Sequence, residues 1–241
     1  MNSSAGHFAA TRWTLVVQAR GVDAAAQSAL SELCEAYYAP VITFLRSEGR
    51  EEDTARELAH EFFARVLAGS SLRGADPARG RFRSYLLGAV KHFLRDIRAR
   101  KLAGKRGGGE EPIPLEDTAS GLGAPAPELP DSERAFDRQW ALTVISRALG
   151  ILADEHKDAD RLRQFEVLKP WITGGDAALP QAAAAKTLGL SEGAVKVAIH
   201  RLRQRFREAV KTEIAQTVPA ESDIDDELRH LIAVLSGPHG N

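Results

Sequence analysis

Eleven glycines and prolines fall between Gly104 and Pro130, in the stretch GKRGGGEEPIPLEDTASGLGAPAPELP. A packed core does not tolerate that density, because each glycine adds chain entropy and each proline removes a backbone donor. The segment reads as a flexible linker, so whatever folds must fold on either side of it. On both sides apolar residues recur at helical spacing, and no convincing run alternates with period two. Helices are expected over about 10–20, 24–37, 39–48, 51–68 and 81–101 before the break. They resume at about 131–153, 156–173, 180–188, 191–217 and 223–236. The expected fold class is all-α: two small helical domains, 1–102 and 134–218, joined by a flexible linker at 103–133. An amphipathic extension follows at 219–241.

The chain carries 32 Lys+Arg against 33 Asp+Glu, yet the charge is strongly segregated. From Arg79 to Arg106 there are ten Lys/Arg and one Asp, a local charge of 10 − 1 = +9. Lys196 to Lys211 holds six positive residues and one negative, or +5, which leaves −15 for the remainder of a chain at −1. Segregation of this kind speaks of partners rather than of fold. The single Cys34 excludes an internal disulfide and reads as a small buried thiol. No secretory signal and no run long enough to span a bilayer is visible, so a cytoplasmic protein without a membrane partner is expected.

Within the first basic segment, Phe82, Tyr85, Leu86, Ala89, Phe93 and Ile97 fall on one side of a helix and read as its core stripe. Ser84, Gly88, Lys91, Arg95 and Arg98 fall opposite, a basic ridge with two small residues. Such a ridge is either a solvated face or a track for a nucleic-acid strand held by phosphate contacts and base stacking. The polar loop before it adds Arg73, Arg79 and Arg81.

The second basic segment, AAAAKTLGLSEGAVKVAIHRLRQRF, has the signs of a helix-turn-helix. Gly189 can end one helix in a left-handed conformation, and Ser191 can cap the next. Val195, Ile199, Leu202, Phe206 and Val210 would then be buried, with Lys196, Val197, His200, Arg201 and Gln204 facing outward. A reading helix touches base edges from its N-terminal half and steadies itself on phosphates. A plain helical hairpin in a bundle is the competing reading.

Taken in order, LAHEFFARVL, GRFRSYLLGAVKHFLRDIRARK and LGLSEGAVKVAIHRLRQRF resemble an extracytoplasmic-function sigma factor of bacterial RNA polymerase, over about residues 24–102 and 134–212. The resemblance implies a first domain that binds the polymerase β′ clamp and melts the minus-ten element. It implies a second domain that reads the minus-35 element and contacts the β flap. Glu57, His60 and Glu61 match the clamp-docking helix. Arg79, Arg81, Arg83, Lys91, His92, Arg95 and Arg98 match the minus-ten side. Ser191, Lys196, Val197, His200, Arg201 and Gln204 match the minus-35 side. Core RNA polymerase and promoter DNA are the implied partners, together with an anti-sigma factor or a regulatory kinase, and no cofactor or metal is implied.

Three departures from the family pattern stand out. Thr54 and Arg56 occupy positions where the family often carries acid, so phosphorylation of Thr54 would restore charge, whereas an unmodified Thr54 would act as a helix cap. His92 stands where asparagine is frequent. The extension carries Ile224, Leu228, Leu231, Ile232 and Leu235 on one face and an acidic start, which either packs on the second domain or masks its DNA face. Enzymatic signatures are missing: His60-Glu61 lacks the second histidine of a zinc protease motif, and LAGKRGGGE lacks the spacing of a phosphate loop. The alternatives are a helix-turn-helix regulator that never engages polymerase and a helical adaptor whose basic ridges meet acidic proteins.

Overall fold

The computed structural model describes residues 24–67, 80–106, 130–174, 180–218 and 220–237. The expected helix at 10–20, the loop carrying Arg73 and Arg79, and most of the linker lie outside the described residues. Those described form nine α-helices, with no strand among them. The chain divides into two compact units, and the division falls between Trp140 and Ala141.

The first unit is built from α1 (Ala24–Ser47), α2 (Glu52–Leu67), α3 (Phe82–Arg106) and the first ten residues of α4 (Asp131–Glu155). Separate helices were expected at 24–37 and 39–48, and a proline inside a helix costs about 3 kcal/mol. The helix instead runs through Pro40. Tyr37, Pro40, Val41 and Phe44 are buried together on one face, and each large apolar side chain so buried is worth about 1.5–3 kcal/mol. That burial outweighs the lost hydrogen bond. Gly49, with φ of 78°, closes the helix: its N–H donates to the Arg46 carbonyl (2.9 Å) and Arg50 N–H to that of Leu45 (3.2 Å).

The core of this unit is aromatic. Tyr37 meets Phe82 edge to face (5.1 Å between centroids), Phe62 meets Phe93 (5.6 Å), and Phe44 meets Phe136 (6.5 Å). Phe136 and Trp140, from α4, are fully buried here. They change the orientation of α3. Its buried positions are Phe82, Arg83, Leu86, Leu87, Val90, Phe93 and Leu94, whereas Tyr85, Ala89 and Ile97 are only half-buried. At 100° per residue the buried stripe is rotated by about 60° from the expected one. The reason is a second neighbour: the side chains of Asp137 and Trp140 meet Arg83, so α3 is also covered on the flank of Leu87, Val90 and Leu94, which lie outside the expected stripe.

In the second unit the remainder of α4 buries Ala141, Val144, Ala148 and Leu152. The helix expected over 156–173 is two helices, α5 (Ala159–Leu168) and α6 (Pro170–Thr173), because Pro170 has no N–H to donate to the preceding turn. Then come α7 (Gln181–Leu188) and α8 (Glu192–Ala215), a 3₁₀ turn (Glu221–Asp223) and α9 (Ile224–Ser236). The core gathers Phe165, Leu168, Ala184, Ala185, Val195, Ile199, Leu202, Val210 and Ile214. Two buried carboxylates accompany it: Glu213 accepts from Arg147 Nε at 3.0 Å, and Glu227 comes in from α9.

The extension packs on α8, with Leu231 buried and Asp225 accepting from Lys211 Nζ at 3.0 Å. Ile232, expected on the apolar face, is 54% exposed because Glu227 takes a place in the contact.

Candidate nucleic-acid interface

The turn between α7 and α8 follows from three residues. Gly189 adopts φ of 65°, Leu190 N–H donates to the Ala185 carbonyl at 2.9 Å, and Ser191 Oγ accepts from Ala194 N–H at 3.2 Å. A left-handed glycine followed by a serine cap lets one helix stop and the next start within three residues. Ser191 therefore acts through its cap, and its side chain sets where α8 begins.

From that start, Val195, Ile199 and Leu202 turn inward, while Lys196, Val197, His200, Arg201 and Gln204 are all exposed. Phe206, expected in the stripe, is half-buried. Val197 is 49% exposed, an apolar patch among four polar or charged neighbours. Such a row offers donors to base edges and a methyl surface to a thymine. Two arginines further along are used internally: Arg203 donates to the Trp171 carbonyl at 3.3 and 3.2 Å, and Arg205 binds Glu155 through both Nε and Nη2. That bond holds the Glu155 carboxyl below its ordinary range and the Arg205 guanidinium above its own.

Beside the exposed row, a cleft of about 320 Å³ opens between α5 and α8. Phe165, Leu168 and Leu202 line it together with His156, Arg161, Gln164 and Arg201. His156 stacks on Phe165 and shares a hydrogen bond from Nδ1 to the Leu152 carbonyl. Arg161 and Gln164 escaped the sequence reading, because an isolated arginine on a short polar helix has no pattern that marks it.

On α3 the seven residues expected on the minus-ten side separate. Arg83 is buried and bonded to Asp137 at 2.7 Å, with its guanidinium 5.2 Å from the Trp140 ring centroid. It is therefore removed from any strand-facing set: a guanidinium held between a carboxylate and an indole is part of the core. Lys91 is partly buried and donates to Glu133 at 2.5 Å. His92 is exposed, with Nδ1 3.4 Å from Asp96 in the same helix. Arg98 reaches Glu48 at 3.4 Å. Arg81 is half-buried, Arg95 is exposed, and Arg79 lies outside the described residues. The exposed center of the helix is formed by Gly88, His92, Arg95 and Ala99. Sequence reasoning missed Glu133 and Asp137, since carboxylates near a helix start look like ordinary partners of the helix dipole.

On α2, Glu57, His60 and Glu61 are exposed on one face. The His60 ring stacks on Tyr38 and its Nε2 lies 2.7 Å from the Tyr38 hydroxyl. Glu61 accepts from Arg65 at 2.5 Å and lies 3.6 Å from Arg100. Glu52 is clasped by Arg46 (2.6 Å) and Arg56 (3.0 Å). Thr54, read as a possible cap, is instead the third residue of the helix, which begins at Glu52 with Ala55 N–H donating to the Glu51 carbonyl. Its side chain is exposed.

Among the described residues no cluster of three or more His, Cys, Asp or Glu is disposed to hold a metal ion, and no helix is long and apolar enough to cross a membrane. No family model, curated protein or solved structure matches the chain.

Proposed function

We propose that the chain is a promoter-recognition subunit of RNA polymerase of the extracytoplasmic-function sigma type, with two functional domains and a helix-turn-helix formed by α7 and α8. The observation that carries this reading is the exposed row Lys196, Val197, His200, Arg201 and Gln204, set on a helix whose start is fixed by Gly189 and Ser191. In this reading that row takes the minus-35 duplex. Arg95, Lys91, His92, Arg98 and Arg81 border the minus-ten strand, while α2 docks on the polymerase clamp through Glu57, His60 and Glu61. Core polymerase, which supplies the chemistry, and promoter DNA are the partners.

Run-off transcription with purified core polymerase tests it. Promoter-specific RNA that requires this protein is the expected result; duplex binding without any initiation defeats it. The second reading, a DNA-binding regulator independent of polymerase, draws on α2, where Glu52 and Glu61 are already engaged by arginines of the same chain. Two of the five carboxylates from Glu51 to Glu61 are then already answered before a basic clamp arrives.

Phosphorylation of Thr54 links the two. Thr54 is exposed in the first turn of α2, where a phosphate dianion is favoured by the helix dipole and adds the missing charge. Thr54→Glu is expected to raise run-off product above wild type, and Thr54→Ala to prevent any gain from a co-expressed kinase. Equal recruitment of polymerase by wild type and Thr54→Ala in cells under all conditions refutes the phosphorylation step alone.

A further inference from the structure

The basic ridge of α3 is already answered by carboxylates of its own chain, and one of them is differently placed from the rest. Asp96 meets His92 from within the helix, and Glu48 meets Arg98 at 3.4 Å with the arginine exposed and the glutamate half-buried. Glu133 is the more buried and the closer of the two partners that come from outside the helix: it is 17% exposed and sits 2.5 Å from the Lys91 ammonium. Its backbone cannot drift off, because Ser132, Phe136, Asp137 and Trp140 around it are buried in the first unit and Glu133 N–H donates to the Pro130 carbonyl at 2.9 Å. The Lys91 side chain remains 33% exposed, so an outside anion reaches it once the Glu133 carboxylate rotates away.

We propose that Glu133 is a built-in competitor for a nucleic-acid phosphate at Lys91. It lowers the affinity of the ridge for a single strand without blocking the ridge by bulk. The inference rests on the reading of α3 as strand-facing. It goes beyond that reading by assigning a regulating residue on α4 that belongs to neither basic segment. A carboxylate and a phosphate oxygen make the same charge-assisted bond to an ammonium, so exchanging one for the other changes little in the contact itself. The difference lies in the counterions. A strand that gains one more neutralised phosphate releases its counterion, and for a single strand each such contact adds about −0.7 to the slope of log K against log[salt].

The test uses the full-length chain and a fluorescent single-stranded oligodeoxythymidylate, with binding read by anisotropy across a salt series. Glu133→Gln is expected to tighten binding by roughly three- to tenfold at low salt and to steepen the slope by about 0.7. Lys91→Gln alone should change little, because the lysine it removes is already occupied. Combining it with Glu133→Gln should cancel the gain; a nonspecific effect of net charge is excluded by Lys91→Gln alone, which would then weaken binding as much as Glu133→Gln tightens it. Unfolding midpoints of all variants, with Glu133→Ala as a second test of the same carboxylate, separate lost folding from altered binding. Wild-type binding that Glu133→Gln leaves unaltered in affinity and slope overturns the competitor role. Absence of binding by wild type and both Glu133 variants at low salt overturns the strand-facing reading of α3, and the inference with it.

Discussion

Asp137→Ala is the perturbation with the largest worked consequence. Its carboxylate accepts from Arg83 Nη1 at 2.7 Å, and the two side chains are 5% and 9% exposed. Removing the carboxylate takes from the buried guanidinium, beside Trp140, the partner it holds at 2.7 Å. Breaking a buried pair from one side costs about 3–5 kcal/mol, because the surviving charge keeps its desolvation penalty. For a unit of this size the urea dependence is roughly 1–3 kcal/mol per molar. The midpoint should therefore fall by about 2 M urea. The assay is urea unfolding followed by fluorescence of Trp140, with Trp13 and Trp171 replaced by phenylalanine so that the signal reports this unit. The companion Arg83→Met/Asp137→Leu should recover most of the loss, since a buried pair exchanged for apolar groups of similar volume is close to neutral. A loss below about 0.5 kcal/mol for Asp137→Ala, the range of ordinary surface changes, would refute the buried pair and with it the removal of Arg83 from the strand-facing set.

Three further outcomes are expected. Gly189→Ala should destabilise the second unit by about 1–2 kcal/mol, read by thermal unfolding, because φ of 65° is strained for any residue with a Cβ. Burial pushes the Cys34 thiol up to about 11, helped by the neighbouring Glu35 charge. At pH 8 its alkylation should therefore run on the order of a hundredfold slower in native than in urea-unfolded protein, and equal rates would refute that environment. Glu155 is held below its ordinary range by the Arg205 hydrogen bond, so its contribution is present above the unfolded value and is lost as pH falls through the folded one. The midpoint difference between wild type and Glu155→Gln should accordingly be constant near neutrality and narrow below about pH 4.3; a constant gap down to pH 3 would refute the pairing.

Helix content was legible because the apolar spacing states it directly, and the α7–α8 turn because Gly189 and Ser191 each have few structural alternatives. Of the exposed row on α8, all five positions came out as expected, since only one side of that helix meets a core. The orientation of α3 was only half legible. Its apolar residues point in two directions, and the flank of Leu87, Val90 and Leu94 is covered by a helix beginning 25 residues after α3 ends. Arg83 and Lys91 on the same flank concealed that cover. The continuity of α1 was not legible, because the burial of Tyr37, Val41 and Phe44 outweighs the local breaker Pro40.

Charge counting failed for the same physical reason. The +9 between Arg79 and Arg106 is a sum over a segment, whereas a strand responds to the cations left after their neighbours have been answered. Arg83 is spent on Asp137, Lys91 on Glu133 and Arg98 on Glu48, all from outside the segment. Those three pairs are not equivalent. Arg83 cannot be recovered without unfolding the unit, since its carboxylate partner and the indole over it are both buried. Lys91 and Arg98 can be recovered by rotation of a carboxylate side chain. The charge available to a strand is thus a quantity with two levels, one fixed by packing and one set by competition. Only the second responds to substituting the competing acid, which is why Glu133 and Asp137, four residues apart on α4, should give opposite results: tighter binding from one and lost stability from the other.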